Sequence, residues 1–347
     1  MTGICAVRLS AIGDTVNAMV SLAALHRARP DVSITWLTGP ASASLFSSVP
    51  WLRLVIYDKK TGFAGMRKIW RDLKGERFDA VLNMQSAMRA GLLTLGIKAG
   101  AKYGFDSVRA KDLQFLFTNR KVKSPASPHV LDGFLAFMSD FAGTEITTDG
   151  SLTLPPDEKA AAEVNELLKG VTAPLLLINP VTSKAEKDWP ADRLAECAAY
   201  AEGIGFCCAV TSGNDSRTKS AAALIASKLK NPLDLTGKTS LRGLWELVSR
   251  AGAVLSPDTG IVHMASALNI PVIGLYAAHN IERVGPYRDR SLSVSVWKEL
   301  AEAEYGKPAE TLPWRTRVKT PRAMERITCE MVKEKIAEAG RRCGLVS

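Results

Sequence analysis

ICAVRLSAIGDTVNAMVSLAAL, residues 4–25, reads as a strand, a tight turn and the N-terminus of a helix. Ile4 to Leu9 is a run of strand length, apolar except for Arg8. Beyond Asp14 the apolar residues Val16, Met19, Val20 and Ala23 recur at helical spacing and make one apolar face. A buried strand that hands directly to a helix is the opening of a βαβ unit, because parallel neighbours require a crossover.

The same alternation continues outward. Strands are expected at Ser33 to Leu37, Leu52 to Ile56, Ala80 to Met84 and Lys102 to Gly104, with helices over 15–28, 62–75, 87–97 and 130–142. The pattern then restarts with Pro174 to Asn179, Cys207 to Thr211, Pro232 to Asp234, Ala253 to Ser256 and Val272 to Tyr276. Gly143 to Asp157, rich in Thr, Gly and Pro, separates the halves. The reading is therefore α/β, with domains over 1–157 and 158–318. Over 319–347 it expects one terminal helix, Lys319 to Gly344, that packs back on the first domain. In that helix Met324, Ile327, Met331 and Ile336 fall on a helical period after Pro321. No repeat or low-complexity tract points to a solenoid or propeller.

Composition bounds the function. The 347 residues are 46% apolar and 23% charged, enough for two globular cores and too apolar for disorder. The longest apolar stretches, such as Ala173 to Pro180, are far shorter than the roughly 20 residues of a membrane span. With no signal-peptide pattern ahead of the first strand, a cytoplasmic location is expected. Cys5, Cys197, Cys207, Cys208, Cys329 and Cys343 lack CxxC and CxxH spacing and read as buried thiols, with no metal site or disulfide. Lys and Arg outnumber Asp and Glu 45 to 35, a net +10. That excess suits polyanions such as phosphates, anionic headgroups or nucleic acid, and it is equally consistent with plain solubility.

Three strand ends carry residues that chemistry could use. At the first, Asp14 is either a helix cap or a carboxylate at the carboxyl edge of the sheet, where it could take a proton. The second is Asn179-Pro180-Val181-Thr182-Ser183-Lys184-Ala185-Glu186-Lys187-Asp188-Trp189-Pro190. Its Thr182, Ser183 and Lys187 offer the donors and charge a diphosphate needs, unless it is a polar loop capped by Asp188. The third, Ser256-Pro257-Asp258-Thr259-Gly260-Ile261-Val262-His263, feeds a helix whose N-terminus could hold a phosphate. His263 lies one turn after Thr259 and faces that ligand or is a satisfied, half-buried histidine. Walker A, HExxH, GxSxG and a GxGxxG after the first strand are absent, against NTPase, metalloprotease, hydrolase and dehydrogenase readings. Lys59, Lys60, Arg67, Lys68, Arg71 and Lys74, then Arg109, Lys111, Arg120, Lys121 and Lys123, place basic charge in the first half.

Together these segments resemble glycosyltransferase family 9, the ADP-heptose:lipopolysaccharide heptosyltransferases, and most closely the heptosyltransferase I branch. The resemblance spans nearly the whole chain. It rests on RLSAIGD (8–14), Gln85 and Ser86 in LNMQSAMRAG (82–91), KYGFD (102–106), FTNRKV (117–122), TSKAEKDWP (182–190), SPDTGIVHMASAL (256–268) and Met324-x-x-Ile327. Arg8 stands where several members carry Lys, Val181-Thr182-Ser183 replaces a double threonine, and no adenine- or ribose-binding acid is matched near Gly213 to Thr218.

The resemblance implies a GT-B fold of two Rossmann-like domains facing across a cleft, closing to exclude water. It implies an inverting, metal-independent transfer of heptose from ADP-heptose to the Kdo inner core, with Asp14 as general base and no cofactor. Thr182, Ser183, Lys187, Asp258, Thr259, Gly260 and His263 would bind the donor. Ser10, Gly13, Gln85, Lys60, Arg67, Arg109 and Arg120 would meet the anionic, lipid-linked acceptor. The expected protein is a monomer that docks by charge at the cytoplasmic face of the inner membrane and binds no nucleic acid. A nucleotide-sugar 2-epimerase and a non-catalytic nucleic-acid-binding protein are the alternatives; the latter lacks any recognition motif.

Overall fold

Parallel strands alternate with helices through both halves of the structure, a computed structural model that describes residues 2–346. The chain divides between Pro155 and Pro156 into two units. The first runs β1 (Gly3–Val7), α1 (Ile12–Ala28), β2 (Ser33–Thr38), α2 (Pro40–Phe46), β3 (Leu52–Ile56) and α3 (Gly62–Asp72). It continues with β4 (Phe78–Asn83), α4 (Met88–Leu95), β5 (Ala99–Phe105), β6 (Arg120–Val122) and α5 (Val130–Ala142). The second begins α6 (Glu158–Leu167), β7 (Leu175–Ile178), α7 (Ala191–Gly203), β8 (Cys207–Val210), α8 (Ser216–Ala226), β9 (Leu233–Asp234) and α9 (Leu241–Ser249). There follow β10 (Ala253–Pro257), α10 (Gly260–Ala267), β11 (Val272–Tyr276), α11 (Ile281–Val284), β12 (Val294–Ser295), α12 (Trp297–Tyr305) and α13 (Cys329–Arg342).

Each unit is a six-stranded parallel sheet, ordered β3-β2-β1-β4-β5-β6 in the first and β9-β8-β7-β10-β11-β12 in the second. Counted within its own unit, each order is 3-2-1-4-5-6. Sequence and topology explain one another here: β7 and β10 are buried along their whole length, as strands covered on both faces must be. The order reverses between β1 and β4, and between β7 and β10. Loops leaving those strand ends diverge, so a crevice opens at each carboxyl edge, where doubly wound sheets bind ligands. Val7 pairs with Asn83 at the first switch point and Leu255 with Ile178 at the second.

Three expectations change. α1 is buried well beyond one stripe, with Thr15, Asn17 and Ser21 enclosed alongside Val16, Met19 and Val20, and α5 packs against it. β6 and β12 were not anticipated: they are edge strands of three and two residues, and β6 opens with two charges. The terminal helix is the main correction. Residues 319–328 form a loop with a short 3-10 turn, Thr328 caps α13 through the Met331 N–H, and α13 packs on α7. Its apolar face of Val332, Ile336 and Ala339 belongs to the core of the second unit, of which it is a part.

Candidate active site

In the first unit the turn after β1 is held from both neighbouring strands. The Arg8 carbonyl accepts Trp36 Nε1–H at 3.2 Å and the Thr38 hydroxyl at 2.9 Å, both from β2. From the end of β4, Gln85 Oε1 accepts the Leu9 N–H at 2.6 Å and the Met84 carbonyl accepts Arg8 Nη1–H at 2.9 Å. Gly39 lies so close that a Cβ there would sit 2.6 Å from the Leu9 carbonyl oxygen. The turn is therefore fixed before it meets any ligand.

Asp14 stands in the first turn of α1, two residues inside Ile12, and the N-cap is Ala11, so the helix-cap alternative falls. Its carboxylate pairs instead with Arg8 Nη2, and among the described residues Arg8 is its one partner. The Arg8 guanidinium is stacked over Phe134 at 5.4 Å and is itself tied to β4, so it presents Asp14 in one orientation. The carboxylate keeps 35% of its side-chain surface exposed, which leaves it reachable by a substrate hydroxyl.

In the second unit two loops meet at the switch point. Asn179 Nδ2 donates to the Val181 carbonyl at 3.1 Å and lies 3.3 Å from both Ser256 Oγ and Thr259 Oγ1, tying the β7 loop to the β10 loop. Lys187 Nζ donates to Asp258 Oδ2 at 2.8 Å, and His279 Nδ1 lies 2.9 Å from the same oxygen. Burial alone would push the Asp258 carboxyl up; the His279 hydrogen bond and the Lys187 ammonium outweigh it and hold Asp258 well below the usual carboxylate range. Burial also pushes His279 down in spite of Asp258, so the imidazole is neutral at pH 7 with its Nδ1–H toward the carboxylate.

Thr259 is the N-cap of α10, yet its hydroxyl lies 2.8 Å from Ser256 Oγ, and no side chain caps the helix. First-turn N–H groups and the positive end of the dipole are thus left for an anion. His263, one turn on, is 9% exposed. Trp189 explains why an aromatic follows Lys187: its indole N–H donates to the Ile327 carbonyl at 3.1 Å, buried in the core, which anchors the loop that carries the lysine.

The structure thus gathers Ser10, Gly13, Asp14 and Gln85 at one switch point, and Thr182, Lys187, Asp258, Thr259 and Gly260 at the other. Thr182 is shaped by its own loop: its hydroxyl donates to the Lys184 carbonyl at 2.6 Å, and its N–H donates to Asp188 Oδ1 at 2.7 Å. Asp188, which also pairs with Arg217 at 3.2 Å, stiffens the loop and is not the cap of α7; that position is Pro190. Ser183 is exposed. Lys60, in the turn after β3, and Arg67 on α3 are exposed two strands from β1, while Arg120 begins β6 on the opposite edge. Arg109 is corrected: it is 2% exposed, and its guanidinium donates to the Ser127 carbonyl at 2.7 Å and the His129 carbonyl at 3.1 Å. Such a side chain braces the 123–130 segment and cannot meet an acceptor. A groove of about 490 Å³ borders the 181–190 loop, but neither Lys187 nor Asp258 lines it.

Arg8, Asn179, Trp189 and His279 are site residues to which the sequence reading gave no role. Each sits within three residues of a strand end or of Lys187, which is the signal that was available. All six cysteines are free thiols, and burial pushes Cys5 and Cys208 up to about 12.

A family model described as glycosyltransferase family 9 (heptosyltransferase) matches residues 66–314. The chain is 39% identical over 341 residues to the lipopolysaccharide core heptosyltransferase OpsX of Haemophilus influenzae, covering 97% of this chain and 96% of that protein. Among solved structures, a family 9 glycosyltransferase from Veillonella parvula superposes with a TM-score of 0.79 at 19% identity, covering 97% of both chains. The Escherichia coli heptosyltransferase WaaC with ADP gives 0.74, also at 19% identity, over 99% of this chain and all of that one. These likenesses show the fold, which is that of the GT-B class.

Proposed function

The chain belongs to glycosyltransferase family 9 and is a heptosyltransferase, and on that premise we propose that it builds the lipopolysaccharide core by moving heptose from ADP-heptose to a Kdo-bearing, lipid-linked acceptor. One observation carries the mechanism. In each unit the candidate groups occupy the switch point: an oriented carboxylate in the first, a lysine beside an uncapped helix start in the second.

Asp14 takes the proton of an acceptor hydroxyl as that oxygen bonds to the anomeric carbon. The bond from that carbon to the β-phosphate oxygen breaks, ADP leaves with the electron pair, and the single displacement inverts the configuration. Negative charge grows on the diphosphate, where Lys187 and the first turn of α10 stabilise the transition state more than the bound donor. Asp258 and His279 hold Lys187 in place for that task. The reading uses no bound metal, since a lysine and a helix N-terminus provide the positive charge.

A general base contributes about 10²- to 10⁴-fold. Asp14→Asn should lower turnover by that order and leave the affinity for ADP unchanged by calorimetry; undiminished turnover would remove Asp14 from the mechanism. We place the enzyme at the cytoplasmic face of the inner membrane, where such an acceptor is presented. No helix among the described residues is long and apolar enough to cross a membrane.

A further inference from the structure

Four of the eleven large apolar side chains exposed among the described residues lie within nine positions of the β5–β6 connection. Val108, Leu113, Phe115 and Leu116 are each more than half exposed. Between them Arg109 and Gln114 turn inward. Gln114, 3% exposed, donates from Nε2 to the Asn83 carbonyl at 2.8 Å, and its Oε1 accepts the Ser86 hydroxyl at 3.1 Å and the Phe105 N–H at 3.2 Å. Phe117 packs on α4 so tightly that a Cβ on Gly91 would lie 2.3 Å from its ring. The connection is therefore a fixed projection with a polar root at the end of β4, two residues before Gln85, and an apolar tip. Asp112 and Leu113 at its crest both have positive φ, 52° and 56°, without being glycine. The helix beneath it, α4, exposes Met88 and Leu95, seven residues apart and so along one face.

Charge selects the occupant. Residues 98–123 hold seven Lys and Arg against two acids, and one of those, Asp106, is bonded to Ser124. Lys111, Arg120, Lys121 and Lys123 are all exposed. The first 155 residues carry 19 basic against 12 acidic side chains, so a second copy of this face would be repelled. Apolar side chains rimmed by lysine and arginine fit an anionic bilayer, where the tip enters the headgroup boundary and the rim meets phosphates.

We propose that Val108, Leu113, Phe115 and Leu116 form a wedge that inserts into the interface of an anionic membrane, docking the carboxyl edge of the first sheet against the bilayer. The wedge deepens the lipid-linked acceptor reading, on which its purpose rests, and its insertion is measured without any acceptor.

The test is flotation of the full chain with vesicles of equal parts phosphatidylcholine and phosphatidylglycerol, alongside pure phosphatidylcholine vesicles. The wild type should float with the anionic vesicles, and Phe115→Ser/Leu116→Ser should weaken that partitioning about tenfold or more. Both positions are exposed, so the variant should keep the wild-type melting temperature and its turnover on detergent-dispersed acceptor. Phe115→Trp should show a blue-shifted emission that brominated lipid quenches. A wild type that does not bind, a double variant that binds unchanged, or a bound Phe115→Trp with water-exposed emission would each overturn the wedge. So would a change of oligomeric state in the double variant with vesicle binding intact, which would make the patch a contact between copies. A failed heptose transfer would leave the flotation result untouched, so the two readings fail separately.

Discussion

Lys187 and Asp258 stabilise each other while serving the site. With Lys187 removed, Asp258 keeps only His279 in a buried setting, and breaking a pair of this kind costs about 3 kcal/mol or more. Lys187→Ala should therefore lower both the melting temperature and the affinity for ADP, read by thermal denaturation and calorimetry on the same preparation. Unchanged ADP affinity would mean that the lysine serves the fold alone. Arg8 acts differently, because it touches Asp14 and strand ends but stands in no proposed donor contact. Arg8→Gln should cut turnover by about tenfold or more through loss of orientation, with ADP affinity held; steady-state kinetics set beside calorimetry separates the two. At this scale the sequence exposed positions better than partners. Asp14 and Lys187 are visible because they follow strand ends. Arg8 folding back on Asp14, and His279 crossing from β11 to Asp258, are not, since both depend on where neighbouring strands finish.

Elements show why charge alone misleads. Arg109 looks like its basic neighbours in the sequence, but it sits where the 123–130 segment needs donors for its carbonyls, and Gly133 makes room for it: a Cβ there would lie 2.0 Å from Nη1. Arg109→Ala should lower stability by about 3 kcal/mol in urea titrations while leaving the acceptor KM unaltered. The β10–β11 pair should govern acid sensitivity. His279 is depressed in the folded state, so an unfolded chain takes up a proton below about 6.5 that the folded one resists, and stability falls as pH drops from there. Asp258 is depressed as well, so its contribution is complete above about 4 and is lost as pH falls further. Denaturation midpoints across this range should thus decline in two stages, and His279→Gln should abolish the upper stage and shrink the lower one, because His279 also helps hold Asp258 down. Fully buried strands were legible as apolar runs. The β6 and β12 edges were not, because two or three residues carry no period, and α13 could not be assigned a partner because an amphipathic face states that it is buried and not against what.

The whole molecule repeats one topology twice and loads it unequally. The first unit carries net +7 and the second net +3. If that charge serves an anionic, membrane-borne acceptor, vesicle association should weaken steeply as salt rises, since screening shortens to within about 10 Å at 0.1 M; flotation across a salt series reads this directly, and a salt-independent association would separate docking from charge. That the chain is two α/β units was legible from the restart of the strand pattern at Pro174, and the family from motifs spread over both halves. Donor and acceptor are a different matter, since they are chemical identities that strand-end positions only narrow to a diphosphate and a hydroxyl. The most direct measurement is mass spectrometry of purified Kdo-lipid A incubated with the enzyme and, in parallel, ADP-heptose and a panel of other nucleotide sugars. The account predicts a gain of one heptose with ADP-heptose alone; a gain from another nucleotide sugar instead, or no gain from ADP-heptose, would contradict it.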